Sequence, residues 1–483
     1  MGLLSNETRL TALLCAFLAP AVYFLLRRRE ALSKRDRLPP GPKGYPIIGN
    51  YYDLPAEGSH LQYSEWKKSY GVSSGFPVNF RVYPTRCGLG WAIFTWKYDG
   101  EIHNRRKMVF QSINKDTMPH YEQHMHKEAL DLARRILATP ERFLFLIDRM
   151  TGTTIMRIAY GHAVYTEHDQ WIGLANNMNH CFREASKVLE ARAFKACYDS
   201  MNDMVNLPYN MVKKQVERQE AAPSMTRWLI EQNMNPDGSI ANEHKIKEIT
   251  AESFAAGADA TEAMIKVFVL AMLANPDIQK KAQAYIDAVV ADGRMPTFSD
   301  RPQLAYIDGI LKEIMRWKVV APIALPHQLT NDEEYNGYFI PAGTMVVPNS
   351  YECARDESIF PEPEEFRPER FTDGVKLFTD IVEPRDFAFG YGRRVCPGRQ
   401  ISDSTLWITI VTMLYVFDIR KAIGPDGQPI EPDLVLENSA AVSFPKPFIC
   451  DFIPRSPQHI EILNATYESV LPSATTKLVP NMV

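Results

Sequence analysis

The chain has no CxxC pair. Its seven cysteines, Cys15, Cys87, Cys181, Cys197, Cys353, Cys396 and Cys450, are scattered and odd in number. That argues against a disulfide framework or a zinc site, and for a reducing compartment. A basic excess is missing too. The formal net charge is −4, so no overall positive field argues for nucleic acid as a partner. No GxGxxG is present, so the chain shows no dinucleotide-binding domain of its own. There is no internal repeat. What remains is an ordinary globular balance, 45% hydrophobic and 23% charged over 483 residues, with enough apolar material for a large core.

The N-terminus departs from that balance. Leu10 to Leu26 reads LTALLCAFLAPAVYFLL and holds no charge. As a helix it would span about 25 Å, close to the thinner endoplasmic reticulum bilayer. Arg27, Arg28 and Arg29 follow at once, then Lys34, Arg35 and Arg37. Charge after the apolar run is the reverse of a cleaved signal peptide. By the positive-inside rule the rest of the chain faces the cytosol. Residues 1–29 are therefore expected to be a membrane anchor in contact with lipid, single-pass in the endoplasmic reticulum membrane. Residues 30–50, with LPPGPKGYPIIGN at their end, form a proline-rich hinge. Residues 51–464 make the body and 465–483 a loose tail.

Within the body, helical periodicity dominates from about 117 to 233. HKIKEITAESFAAGADATEAMIKVFVLAMLANP predicts a long helix, nearly apolar after Glu262 and ended by Pro276. LAYIDGILKEIMRWKVV predicts another. EEYNGYFI and GTMVVP look like short strands. Residues 350–395 are irregular, and PGRQISDSTLWITIVTMLYVFDI returns to a buried helix. The expected fold class is mainly α with a minor β part.

One cysteine is prepared for work: FAFGYGRRVCPGRQ, residues 387–400. A cysteine ligand acts as thiolate, so its charge must be stabilised. Pro397 suits a first helical position, and that helix would aim its free N–H groups at the Cys396 sulfur. Gly390, Gly392 and Gly398 clear side chains where backbone turns or passes close to a flat ligand. Arg393 and Arg394 supply fixed positive charge for carboxylates, and Phe389 an apolar neighbour for the sulfur. The set describes a thiolate beneath a large, anionic, planar cofactor, which is haem.

The run resembles the FxxGxRxCxG signature of the cytochrome P-450 family at Phe389, Gly392, Arg394, Cys396 and Gly398. The resemblance implies the P-450 fold with an N-terminal transmembrane helix. It makes Cys396 the axial ligand of a haem b iron and pairs Arg394 with a haem propionate. Other stretches agree. Glu313 and Arg316 in LKEIMRW share one helix face, and EEFRPERF supplies Arg370. The family joins these three into a buried network that braces the cysteine loop. His327 in ALPHQL stands where the family often binds a propionate; on sequence alone a satisfied core histidine is an equal reading. AAGADAT, residues 255–261, resembles the oxygen-binding groove. It offers Asp259 and Thr261 as proton-delivering residues, with Gly257 letting dioxygen approach the backbone, but puts Ala260 at the usual threonine position. YDGEIHNRRKM resembles the segment of the WxxxR motif, with Arg106 as a second propionate partner and Ile102 in place of the tryptophan.

The body looks short for the family before residue 100 and across 184–215. RWKVVAPIALPHQLTNDEEYNGYFIPAGT is similar to fungal members of secondary metabolism, including those like O-methylsterigmatocystin oxidoreductases. The resemblance implies a monooxygenase that oxidises a small apolar substrate with dioxygen, fed by NADPH through a separate cytochrome reductase. Ala260, Ile102 and the short regions keep a second reading open. That reading is a haem protein of the same fold with impaired oxygen activation, acting as isomerase, dehydratase or binding protein.

Overall fold

The structure is a computed structural model. It describes residues 37–42, 53, 55, 58–70, 99–164, 166, 169–174, 191–290, 293–439 and 442–470. The expected anchor, part of the hinge, much of the segment before residue 100, part of the 184–215 stretch and the end of the tail lie outside the described residues. Among the described residues no helix is long and apolar enough to cross a membrane. The chain divides into two compact units, one of Met1–Val78 with Pro326–Val347, the other of Asn79–Leu325 with Pro348–Val483.

The smaller unit holds helix α1 (Ser59–Tyr70) and two short antiparallel pairs. Strand β1 (His327–Gln328) pairs with β4 (Met345–Val346), and β2 (Glu333–Tyr335) with β3 (Tyr338–Ile340). Asn336 and Gly337 between β2 and β3 both have positive φ, 50° and 80°. Two left-handed residues make the hairpin turn that matches strand twist, which explains why Asn-Gly interrupts EEYNGYFI. The described part of the hinge joins this unit: the Phe339 N–H donates to the Arg37 carbonyl (2.7 Å) and Arg37 pairs with Glu334 (2.8 Å).

The larger unit is helical. It contains α2 (Gly100–Ser112), α3 (Met118–Ala138), α4 (Phe143–Tyr160), α5 (Ala191–Glu217), α6 (Met225–Gln232), α7 (Glu243–Ala274), α8 (Pro276–Val289) and α9 (Ala305–Trp317). After the short α10 (Ser350–Cys353) and α11 (Arg385–Ala388) come α12 (Arg399–Val416) and α13 (Pro457–Val470). Two antiparallel pairs complete it: β5 (Phe417–Lys421) with β8 (Cys450–Pro454), and β6 (Leu436–Ser439) with β7 (Val442–Pro445). Helix α13 runs to Val470, into the segment that composition assigns to the tail.

Helix α7 is the central element. From Ala263 to Leu273 every residue is buried, as expected of a helix apolar on all sides. It ends at Ala274, where the Asn275 side chain caps the Ala271 carbonyl (2.9 Å). Pro276 then opens α8, its missing N–H costing nothing at a helix start. Helix α4 crosses α7 closely at Gly257, where an added Cβ would lie 2.7 Å from Ile155 Cγ1. The glycine in AAGADAT is thus explained by helix packing against α4. Helix α9 is buried along its whole length.

Candidate active site: the cysteine loop and the open face of α7

The cysteine sits in a loop closed on itself. The Cys396 N–H donates to the Phe389 carbonyl (2.7 Å), and Arg394 N–H to the Tyr391 carbonyl (3.1 Å). Gly390 and Gly392 turn the chain with φ of 81° and 53°, values other residues rarely adopt. The short turn Gly392–Arg394 carries Arg394 half-buried. Phe389 packs against the main core. Helix α12 begins at Arg399, with Gly398 as its N-cap. Pro397 therefore lies in the turn ahead of the helix, not at its first position as its sequence context predicts. The consequence for the sulfur survives: the Gly398 N–H donates to it. A Cβ on Gly398 would stand 3.9 Å from Cys396 Sγ, an ordinary contact distance.

Three charges act on the half-buried thiol. Burial pushes its pKa up, the Gly398 N–H, Arg106 and Arg399 pull it down, and Glu252 on α7 pushes it up. Arg106 reaches the loop directly, its Nη2 donating to the Val395 carbonyl (2.6 Å) from α2. Ile102, one turn earlier on α2, is fully buried, with its N–H capped by Asp99 (3.1 Å).

The burial of α7 is interrupted between residues 252 and 260, although the helix lies in the core: Ala256 is exposed, and Glu252, Asp259 and Ala260 are among the half-buried residues. At 100° per residue these four share one face. Thr261 does not. It is buried, and its hydroxyl hydrogen-bonds Ser402 on α12 (3.1 Å). His327 lies on β1 in the smaller unit, opposite Val346.

The bracing residues come together as the spacing predicts. Glu313 and Arg316 are both 0% exposed and pair through two bonds, Nε–Oε2 and Nη2–Oε1, each 2.7 Å. The Arg367 N–H donates to Glu313 Oε1 (2.7 Å), and Arg370 Nε approaches the same oxygen at 3.4 Å. Arg316 also donates to the carbonyls of Ala354 (3.1 Å), Pro363 (2.8 Å) and Glu365 (3.0 Å). Beside this lies a small core of Val319, Ala354, Phe360, Phe371 and Phe387, against which Tyr391 packs. A continuous packed path so runs from the ion pair to the cysteine loop.

A second brace was not anticipated. Arg385 on α11 pairs with Asp308 on α9 (3.1 Å) and Asp403 on α12 (2.6 Å), and Arg301 pairs with both acids (2.7 and 2.6 Å). Lys312 holds Glu383 (2.7 Å). Nothing in the local sequence marks these residues, because their partners lie far apart in the chain.

A cysteine loop that leads into a buried helix, its sulfur supported by a backbone N–H and acted on by arginines, is the arrangement expected of a haem-thiolate protein. The cytochrome P450 family profile matches residues 72–444, and the chain belongs to that family. It is similar to the cytochrome P450 monooxygenase COX2 of Coprinopsis cinerea, at 31% identity over 97% of this chain and 98% of that one. It is also similar to the tryptamine 4-monooxygenase of Psilocybe cyanescens, at 31% identity over 91% and 96% of the two chains. A third relative is the cytochrome P450 monooxygenase claR of Ampulloclitocybe clavipes, at 31% identity over 89% of each. The protein is a monooxygenase, an oxidoreductase that uses dioxygen, a substrate and a redox partner. Its cofactor is haem b with a thiolate-bound iron. The residues fit that group: the Gly398 N–H supports the sulfur, Arg106 and Arg399 act on it, and Ala256 and Ala260 leave only methyl groups on the open face of α7.

Proposed function

We propose that this chain is a membrane-anchored haem-thiolate monooxygenase that oxidises a largely apolar small molecule in fungal secondary metabolism. The observation that carries the reading is the Cys396 loop, with its sulfur supported by the Gly398 N–H and set near the open face of α7. Cys396 is the axial ligand. Arg394 and Arg106 hold propionates, and Phe389 and Gly398 shape the sulfur's surroundings. Haem, when bound, supplies the activation of dioxygen. The chain's residues orient the substrate and exclude water. Asp259 holds and releases a proton at its carboxylate on the open face. Thr261, turned to Ser402, serves that face only through water. Glu313, Arg316 and Arg370 keep the loop in place. The relative named for tryptamine supports a substrate with an aromatic ring system.

Cys396→Ala tests the reading. The native protein is expected to show the red-shifted Soret band of a ferrous–CO thiolate complex, and the variant to lose it; a variant that keeps it leaves Cys396 without its role. The anchor is a separate proposal, resting on Leu10–Leu26 and the arginines after it. Deleting residues 1–29 should move the protein from the membrane to the soluble fraction with that band intact. Retention on carbonate-washed membranes would mean another surface holds it there.

A further inference from the structure

Helix α3 opens on MPHYEQHMHKE, which puts three histidines, His120, His124 and His126, on its first turns. At 100° per residue His124 lies one turn beyond His120 and about 40° round from it, while His126 lies about 160° from His124. The first two meet. Their Nε2 atoms are 3.1 Å apart, and the rings stand edge to face at 81° with centres separated by 4.6 Å. Neither ring makes another hydrogen bond among the described residues. Both are half-buried, and Pro119 and Gln123 beside them are exposed, so the pair lies at the protein surface.

A hydrogen bond running straight along both ring axes would hold the centres about 5.4 Å apart. At 4.6 Å the rings are bent off that line, which weakens the bond. The spacing suits a chelate instead. One zinc ion about 2.05 Å from both nitrogens, at a bond angle of about 100°, sets the nitrogens about 3.1 Å and the ring centres about 4.9 Å apart. Two histidines four residues apart on a helix are a recurrent way of presenting such a pair. Burial, and then the charge of Arg157 on α4, hold both rings below the ordinary histidine range, His124 down to about 3. A neutral imidazole has one nitrogen lone pair and can carry its proton on the other nitrogen, so both Nε2 atoms can act as ligands. Arg157 and Lys127 oppose a cation here. An ion that binds against them must favour imidazole strongly, which excludes magnesium and calcium and leaves zinc, copper and nickel.

We propose that His120 and His124 form a chelating site for a divalent ion of the zinc, copper and nickel group. No third acid, cysteine or histidine joins them among the described residues, so water completes the coordination. The site uses neither Cys396 nor haem, and it stands whether or not the haem-thiolate reading does. Its ion would cross-link the first two turns of α3. Tyr121, next to His120, donates its hydroxyl to the Ser112 carbonyl (3.2 Å), and the Thr117 hydroxyl donates to the same oxygen (3.0 Å). Ser112 ends α2, the helix that brings Arg106 to the cysteine loop. An occupied site therefore stiffens the joint between α2 and α3.

The test uses the untagged, full-length, haem-loaded protein in detergent and Zn²⁺ alone. Calorimetric titration should give one tight site per chain. His120→Gln and His124→Gln, which keep a polar side chain at each position, should each weaken it at least about tenfold, and the double variant little further, because losing either ring breaks the chelate. His126→Gln should bind as the native protein does. Zinc should raise the melting temperature of the native protein and of His126→Gln, and leave the other variants unmoved. Zinc-edge X-ray absorption on the native one-to-one complex needs no variant, and should show two imidazole nitrogens on the ion. A native protein that binds no zinc, a complex with fewer than two imidazoles, or single losses that simply add in the double variant would overturn the proposal.

Discussion

Ala260 occupies the place on α7 where a hydroxyl would stand beside Asp259 on the open face. The next residue has the hydroxyl, but it is 100° further round the helix and engaged with Ser402. On the proposed reading, proton delivery on this face depends on Asp259 and water. The expected result is poor coupling: NADPH consumed in excess of product, with hydrogen peroxide released. Ala260→Thr restores the missing group. Threonine costs about 0.5 kcal/mol in helix propensity, and Ala260 is only half-buried, so the fold should accept it. Product formed per NADPH should rise several-fold, equivalent to about 1 kcal/mol in the partition between productive and wasted turnover. Tight coupling in the native protein, or no gain in the variant, would show that water bridging from Thr261 suffices.

The ion pair on α9 acts on a larger scale, because it ties three segments of chain to one helix. Glu313 accepts from Arg316 and from the Arg367 N–H, while Arg316 satisfies three carbonyls of the 354–365 stretch. Glu313→Ala leaves Arg316 buried with an uncompensated charge, a loss of about 3–5 kcal/mol. That is a large share of a typical domain stability of about 5–15 kcal/mol. Haem content and melting temperature should both fall; normal values for both would show that the packed path through Phe360, Phe371 and Phe387 holds the loop unaided. This brace was legible in the sequence because its parts are local, Glu313 and Arg316 three residues apart and Arg370 inside a short proline-marked phrase. The long helix was legible for a similar reason, an apolar run closed by Pro276. The Arg385–Asp308–Asp403 brace was not, since ion pairs between distant segments leave no periodic trace. Gly257 was read for its ligand and found against Ile155, because sequence shows that a side chain is missing without showing what it would have struck. The start of α12 slipped by two residues for the usual reason that the turn before a helix resembles its first turn.

At the scale of the whole molecule, one charge cluster around a buried ammonium is expected to couple stability to pH. Lys266 on α7 pairs with Glu262 one turn before it and with Asp148 on α4, each at 2.6 Å, and lies 5.8 Å from the Phe444 ring on β7. One ammonium faces two carboxylates. Burial, and then the charge of Asp148, push the Glu262 carboxyl up to about 8. A carboxyl with a folded pKa above its unfolded value binds its proton more tightly in the native state. Its contribution to stability is full below about 4.5, where both states are protonated, and is lost as pH rises towards about 8. Glu262→Gln removes the titration while keeping an oxygen for Lys266 to donate to. Thermal melts from pH 5 to pH 9 should therefore show a steeper decline in the native protein than in the variant, with the variant gaining relative stability at the alkaline end. Parallel curves would mean that Lys266 keeps both carboxylates ionised in the fold. The native decline should reach the packing of α4 on α7, which Lys266 and Asp148 join. The haem absorbance shift on binding an apolar probe should then weaken over the same pH range in the native protein and stay level in Glu262→Gln.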